Sequence, residues 1–137
     1  MNPMRRLNER GVAAAEFALL LPVFLMILFG TIEFGMIMYS RELITNASRE
    51  GARAGIVQVS PKPTAGAIQT IATTYLTGTG INPAAVTVTV TGAGGVNPAT
   101  LTVNTTYRYP WLIPYIPTLL GLPRPFPLTG RAIMRHE

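Results

Sequence analysis

Residues 5–39 read RRLNERGVAAAEFALLLPVFLMILFGTIEFGMIMY. No residue between Glu16 and Glu33 is charged, and apolar positions continue on both sides as Val12–Ala15 and Phe34–Tyr39. A bilayer core needs about 20 helical residues, a length that the uncharged run reaches once its flanks are added. Apolar side chains cover every side of such a helix, whereas a helix on a soluble surface carries a stripe. The two glutamates fall near the ends of the span, where ionised groups cost far less than at its centre. The pattern predicts a membrane-spanning segment over about 12–39 inside one long helix over 12–58.

The charges around this run give its direction. Arg5, Arg6 and Arg10 precede it, and short basic flanks stay on the cytoplasmic side. Arg41, Arg49 and Arg53 follow it, but they alternate with Glu42 and Glu50, which reads as a solvated helix face. The expected topology is a single pass with the N-terminus in the cytoplasm and the C-terminal region exported. An ordinary secretory signal is the competing reading. Its small-residue site should close the apolar run, but here Gly11–Ala15 precede it, so cleavage there would remove the basic leader, 1–11, and keep the anchor.

Beyond the span, Ser60-Pro61-Lys62-Pro63 breaks the helix, because proline disfavours helical geometry in the residue before it. Residues 59–63 form a linker, and 64–137 form the exported domain. Ile68, Ile71, Ala72 and Tyr75 recur at helical spacing within 65–76. Val86–Thr91 alternates strictly, Leu101, Val103, Thr105 and Tyr107 repeat the alternation after a Gly-rich loop, and Leu128–Met134 offers a third strand. The fold class is therefore α+β: a long N-terminal helix, then one short helix over a three-stranded antiparallel sheet. Residues 109–128 hold six prolines among Trp111, Ile113, Tyr115 and Phe126, a density read as an apolar loop without helix or ladder. That loop either caps the sheet or forms an exposed contact.

Several positions in the long helix invite packing. Ala47, Gly51 and Gly55 share one face, open to the exported sheet or to a neighbouring subunit. Gly30, Glu33 and Gly35 make a polar, weakly helical patch, either the membrane boundary or a contact to a partner helix. Pro22 removes one backbone donor and is expected to kink or locally melt the helix unless neighbours compensate.

Composition argues against catalysis. The chain has no cysteine and no aspartate, its only histidine is His136, and no acidic side chain occurs from Gly51 to His136. Acid–base pairs, metal cages and nucleophilic triads have no members to draw on in the exported part. No enzyme activity, cofactor, metal or small-molecule ligand is expected. The net charge of +5 leaves that part purely cationic, but the charges are scattered in sequence with little aromatic clustering, so nucleic acid is not the expected partner.

The string ERGVAAAEFALLLPVFLMILFGTIEFG, followed by TNASREGARAG, resembles the TadE-like family of tight-adherence pilus pseudopilins. Gly11 followed by Val12-Ala13-Ala14-Ala15-Glu16 is similar to a prepilin-type cleavage signal, with Ala15 where the family commonly has Val. The resemblance implies processing between Gly11 and Val12 by a prepilin peptidase. Glu16 would then lie one turn from the new amine, complementing the positive helix end or pairing with a neighbouring subunit's amine to set register. It further implies a minor pilin of the bacterial inner membrane, with sibling pseudopilins, a major pilin and an inner-membrane assembly platform as partners. Two rivals remain: a signal-anchored scaffold that never leaves the membrane, and a pseudopilin of a secretion system.

Overall fold

The computed structural model describes residues 3–96 and 99–136, with side chains from Gly11 onward. The first two leader residues, the leader arginines' side chains and the end of the Gly-rich loop at 97–98 lie outside that description. The elements in order are α1 (Pro3–Gly55), α2 (Ala65–Tyr75), a 3-10 turn (Pro83–Ala85), β1 (Val86–Thr91), β2 (Thr100–Tyr109), α3 (Tyr115–Leu120) and β3 (Phe126–Arg135). The chain divides into two compact units, Met1–Gly35 and Met36–Glu137. The fold class is the α+β arrangement that the periodicities indicate.

The first unit is helix alone. Its apolar side chains are exposed on all sides, among them Phe17, Leu19, Leu20, Phe24, Ile27 and Phe34. The helix is not interrupted at Pro22, so the local melting expected there does not occur.

In the second unit the sheet has the order β1-β2-β3, antiparallel throughout. Even positions of β1 and odd positions of β2 share a face, and there Leu101, Val103, Thr105 and Tyr107 are buried. The second half of α1 and α2 contribute Ile44, Ala47, Ala52, Ile68, Ala72 and Leu76 to the core. The helix ends at Gly55 rather than 58. Thr64 caps α2 by accepting from the Ala67 N–H at 3.2 Å, which satisfies one of the orphan donors of its first turn. Gln69 Nε2 donates to Val88 O at 3.0 Å, so α2 covers part of the free edge of β1.

Two prolines correct the reading of 109–128 as a segment without helix or ladder. Pro117 sits in the first turn of α3, where an N–H has no helical partner, so its missing donor costs nothing there. Pro127 lies within β3 opposite Arg108. The His136 N–H donates to Ala99 O at 2.9 Å, so even-numbered residues of β3 bond to β2. Pro127 is odd-numbered, and its absent donor falls on the outer edge of an edge strand.

Between β3 and α1 the strand meets the helix backbone directly. A Cβ on Gly130 would lie 2.7 Å from Ile44 C, Ile44 O and Thr45 N. Beside it, Ser48 Oγ lies 2.8 Å from Thr105 Oγ1 and 3.0 Å from Gly130 O, all buried. Because the obstruction at Gly130 is helix backbone, it cannot rotate away. Gly130→Ala should lower stability by about 1–3 kcal/mol, the usual cost of overpacking. Thermal unfolding of the full chain in detergent checks this, and an unchanged midpoint would refute the close approach.

Candidate functional site

The predicted site residues divide between the two units. Gly11, Val12 and Glu16 are exposed along α1 in the first unit, with Val12 on the same helix one turn before Glu16. A Cβ on Gly11, Gly30 or Gly35 would meet nothing within 4 Å. Glu33 is buried, unlike almost every neighbour in this unit. The Thr31 hydroxyl donates to Ile27 O at 2.8 Å and so carries no unsatisfied donor into an apolar setting. One helix among the described residues is long and apolar enough to cross a membrane, and it contains this unit.

Ala47, Gly51 and Gly55 belong to the second unit, and there the structure resolves the choice that their spacing leaves open. A Cβ on Gly51 would stand 3.1 Å from Ala72 Cβ and 3.4 Å from Ile68 O. A Cβ on Gly55 would stand 2.4 Å from Leu101 Cδ2 and 2.6 Å from Ile68 Cδ1. The stripe is therefore filled by the chain's own α2 and β2, and its small residues let the elements approach closely. Glu50 and Arg53, on the exposed side of the same helix, form an ion pair at 3.0 Å. The Arg53 hydrogen bond holds the Glu50 carboxyl below its ordinary range, and Glu50 raises Arg53 in turn.

The Pro-rich segment is built on a chain of edge-to-face rings: Tyr107 to Tyr109, Tyr109 to Trp111 and Trp111 to Phe126, with centroids 6.1, 6.3 and 5.6 Å apart. Trp111 Nε1 donates to Pro123 O at 3.0 Å, which ties the two limbs of the segment together. Burial raises the Tyr107 phenol above its ordinary value. Trp111, Ile113 and Phe126 are half-buried, and Tyr115 is exposed. A cavity of about 230 Å³ opens between this segment and α1, lined by Met36, Tyr39, Ile81, Tyr109, Pro110 and Leu112. Its walls are apolar, and among the described residues no group of three or more His, Cys, Asp or Glu comes together.

Three residues outside the sequence reading matter to this architecture. Ser48 is the buried polar hub between α1, β2 and β3; it lies in the row Ile44, Ser48, Ala52, beside the small-residue row, and that i, i+4 spacing was readable. Gly130 shares the buried face of β3 with Leu128 and Ala132, but nothing local shows that a helix backbone lies against it. His136 is buried at the chain's end with Nε2 3.0 Å from Gly92 O, and no local pattern marks it.

Residues 11–53, the segment that carries the exposed apolar helix and the start of the packed stripe, match the model of the TadE-like protein family. Residues 54–137 lie outside the match. No curated protein and no solved structure matches the chain.

The two sets of glycines should respond differently to one substitution. Gly51→Leu should lower the unfolding midpoint of the full chain in detergent, at a cost of about 1–3 kcal/mol. Gly30→Leu, which has open space, should leave that midpoint unchanged. Equal effects from the two variants would refute the assignment of the stripe to internal packing.

Proposed function

We propose, from the TadE-like segment at residues 11–53, that this chain is a pseudopilin of the tight-adherence pilus, made as a precursor and anchored in the inner membrane. A TadE-like domain implies a protein associated with that pilus. The finer assignment is a minor pilin that takes part in assembling or initiating the filament, and it has no enzymatic step of its own. The observation that carries it is where the family match begins: at Gly11, the residue after which a prepilin peptidase would cut, and at the head of an apolar helix with open sides.

The physical chemistry of each part supports this reading. Glycine lets a peptidase hold the backbone extended and close at the cut. Cleavage leaves Val12 with a charged amine at the positive end of a helix, and Glu16 one turn away offsets it. In a filament the same carboxylate pairs with the amine of an adjoining subunit and sets the axial register. The exposed apolar sides of residues 17–32 leave the bilayer only for a comparably apolar surface, which a bundle of like helices supplies. Gly30 and Gly35, with open space above each, allow close approach of a neighbouring helix in that bundle.

Export of the sheet domain follows from the basic leader. The partners implied are the peptidase, sibling pseudopilins, the major pilin and the inner-membrane platform. The rival in which the chain stays in the membrane as a scaffold predicts an intact leader.

Mass spectrometry of the chain from membranes and sheared pili tests the proposal. A mature start at Val12 is expected, and an intact leader in cells with an active prepilin peptidase would overturn it. Glu16→Ala should leave membrane insertion intact and sharply reduce pilus yield. Unchanged yield would remove the register role from Glu16.

A further inference from the structure

The Pro-rich segment presents a surface that a water-facing domain has no reason to keep. Leu112 is 60 % exposed, Tyr115 81 %, Leu119 67 % and Leu120 63 %. These side chains are not on a frayed loop. Gly121, in the left-handed conformation at φ 64°, ends α3, and the Leu122 N–H returns to Pro117 O at 2.9 Å. Pro117 is buried beneath, and the Trp111 ring is clamped between Tyr109 and Phe126. The segment is therefore held to the end of the sheet while its leucines face outward.

Its place in the unit is equally informative. Leu112 and Pro110 line the same cavity as Met36 and Tyr39. Met36–Tyr39 are the last residues of the apolar run, so in the proposed anchor this end of the domain is tied covalently to the bilayer's outer boundary. The surroundings have the composition of that boundary. Trp and Tyr favour the headgroup level, where an apolar ring and a polar tip are both satisfied. Arg124 lines one pocket with Trp111 and Pro114 and donates to the exposed Thr118 hydroxyl, Arg108 follows Tyr107, and no acidic side chain occurs from Gly51 to His136 to repel an anionic headgroup.

We infer that residues 110–124 form a second membrane contact, in which Leu112, Tyr115, Leu119 and Leu120 dip into the outer leaflet of the anchoring bilayer and Arg124 meets its lipid phosphates. The inference rests on the membrane anchor of the proposed function, but not on processing or pilus assembly. A surface of this kind settles about 5–10 Å into the headgroup and acyl boundary. It seats the sheet domain on the membrane while the chain is resident there. Extraction of the helix must also lift this patch, so the contact opposes premature release.

Trp111 is the only tryptophan in the chain, which makes the test direct. The full chain is reconstituted in phosphatidylglycerol–phosphatidylethanolamine vesicles, with lipids brominated at shallow or deep acyl positions. Shallow bromines should quench Trp111 more strongly than deep ones, as expected for a ring at the headgroup and acyl boundary. Aqueous acrylamide should quench it weakly. Leu119→Glu with Leu120→Glu should reverse both results while thermal stability, read by circular dichroism, stays unchanged, since both residues are exposed.

Strong acrylamide quenching with none from brominated lipid would overturn the inference. Protection from both quenchers would overturn it too: if lost on dilution into excess lipid, it identifies a second copy as the occupant, and if retained it shows a ring sealed within the fold. Alkaline extraction of the same vesicles separates the two failures. Chain released by alkali removes the anchor itself, whereas chain retained with Trp111 in water removes only the second contact.

Discussion

The seating of α1 on β3 is the constraint on which the second unit depends. At Gly130 the strand meets the helix backbone at Ile44 and Thr45 with no room for a Cβ, and Ser48 closes the joint by bonding across to Thr105 and Gly130. Burying a hydroxyl is costly unless it is bonded, and here the one hydroxyl satisfies three elements at once. From that joint the small face of α1 runs on to Gly51 and Gly55, where Ala72, Ile68 and Leu101 take up the space that side chains would otherwise fill. A domain of this size without disulfides buries little apolar surface by itself, and the second half of α1 supplies much of its core.

One helix therefore has two unlike halves. Residues 11–35 expose apolar side chains on nearly every side and include Gly11 and Glu16. Residues 36–55 bury a narrow small-residue face and expose charged positions such as Glu50 and Arg53. In the pseudopilin reading the first half changes surroundings, from lipid to like helices, while the second half remains fixed to its sheet. That division explains why Gly30 and Gly35 have empty space beside them and Gly51 and Gly55 have none. No acidic side chain occurs from Gly51 to His136, and in the same reading that part serves as a contact surface for lipid or neighbouring subunits.

How much of this was legible depended on whether the signal was local. The strand at Val86–Thr91 and the helix from Ala65 follow from alternation and from 3.6-residue spacing, both set by which side of one element is buried. Proline density alone does not decide the Pro-rich segment. What matters is where each missing donor falls: in the first turn of α3 for Pro117 and on the open edge of β3 for Pro127, positions where no partner was due. Ser48 stood in a readable i, i+4 row, but its partners Thr105 and Gly130 are far away in sequence.

The sequence by itself determined the long apolar helix and the fold class, because each follows from composition or from the period of a single element. The tertiary structure alone decided that the Ala47–Gly51–Gly55 face is filled from within, that Gly130 must lack a side chain, that His136 is buried against Gly92, and that Leu112, Tyr115, Leu119 and Leu120 face outward. Those outcomes depend on which distant segment occupies a given space, and spacing along the chain carries no record of that.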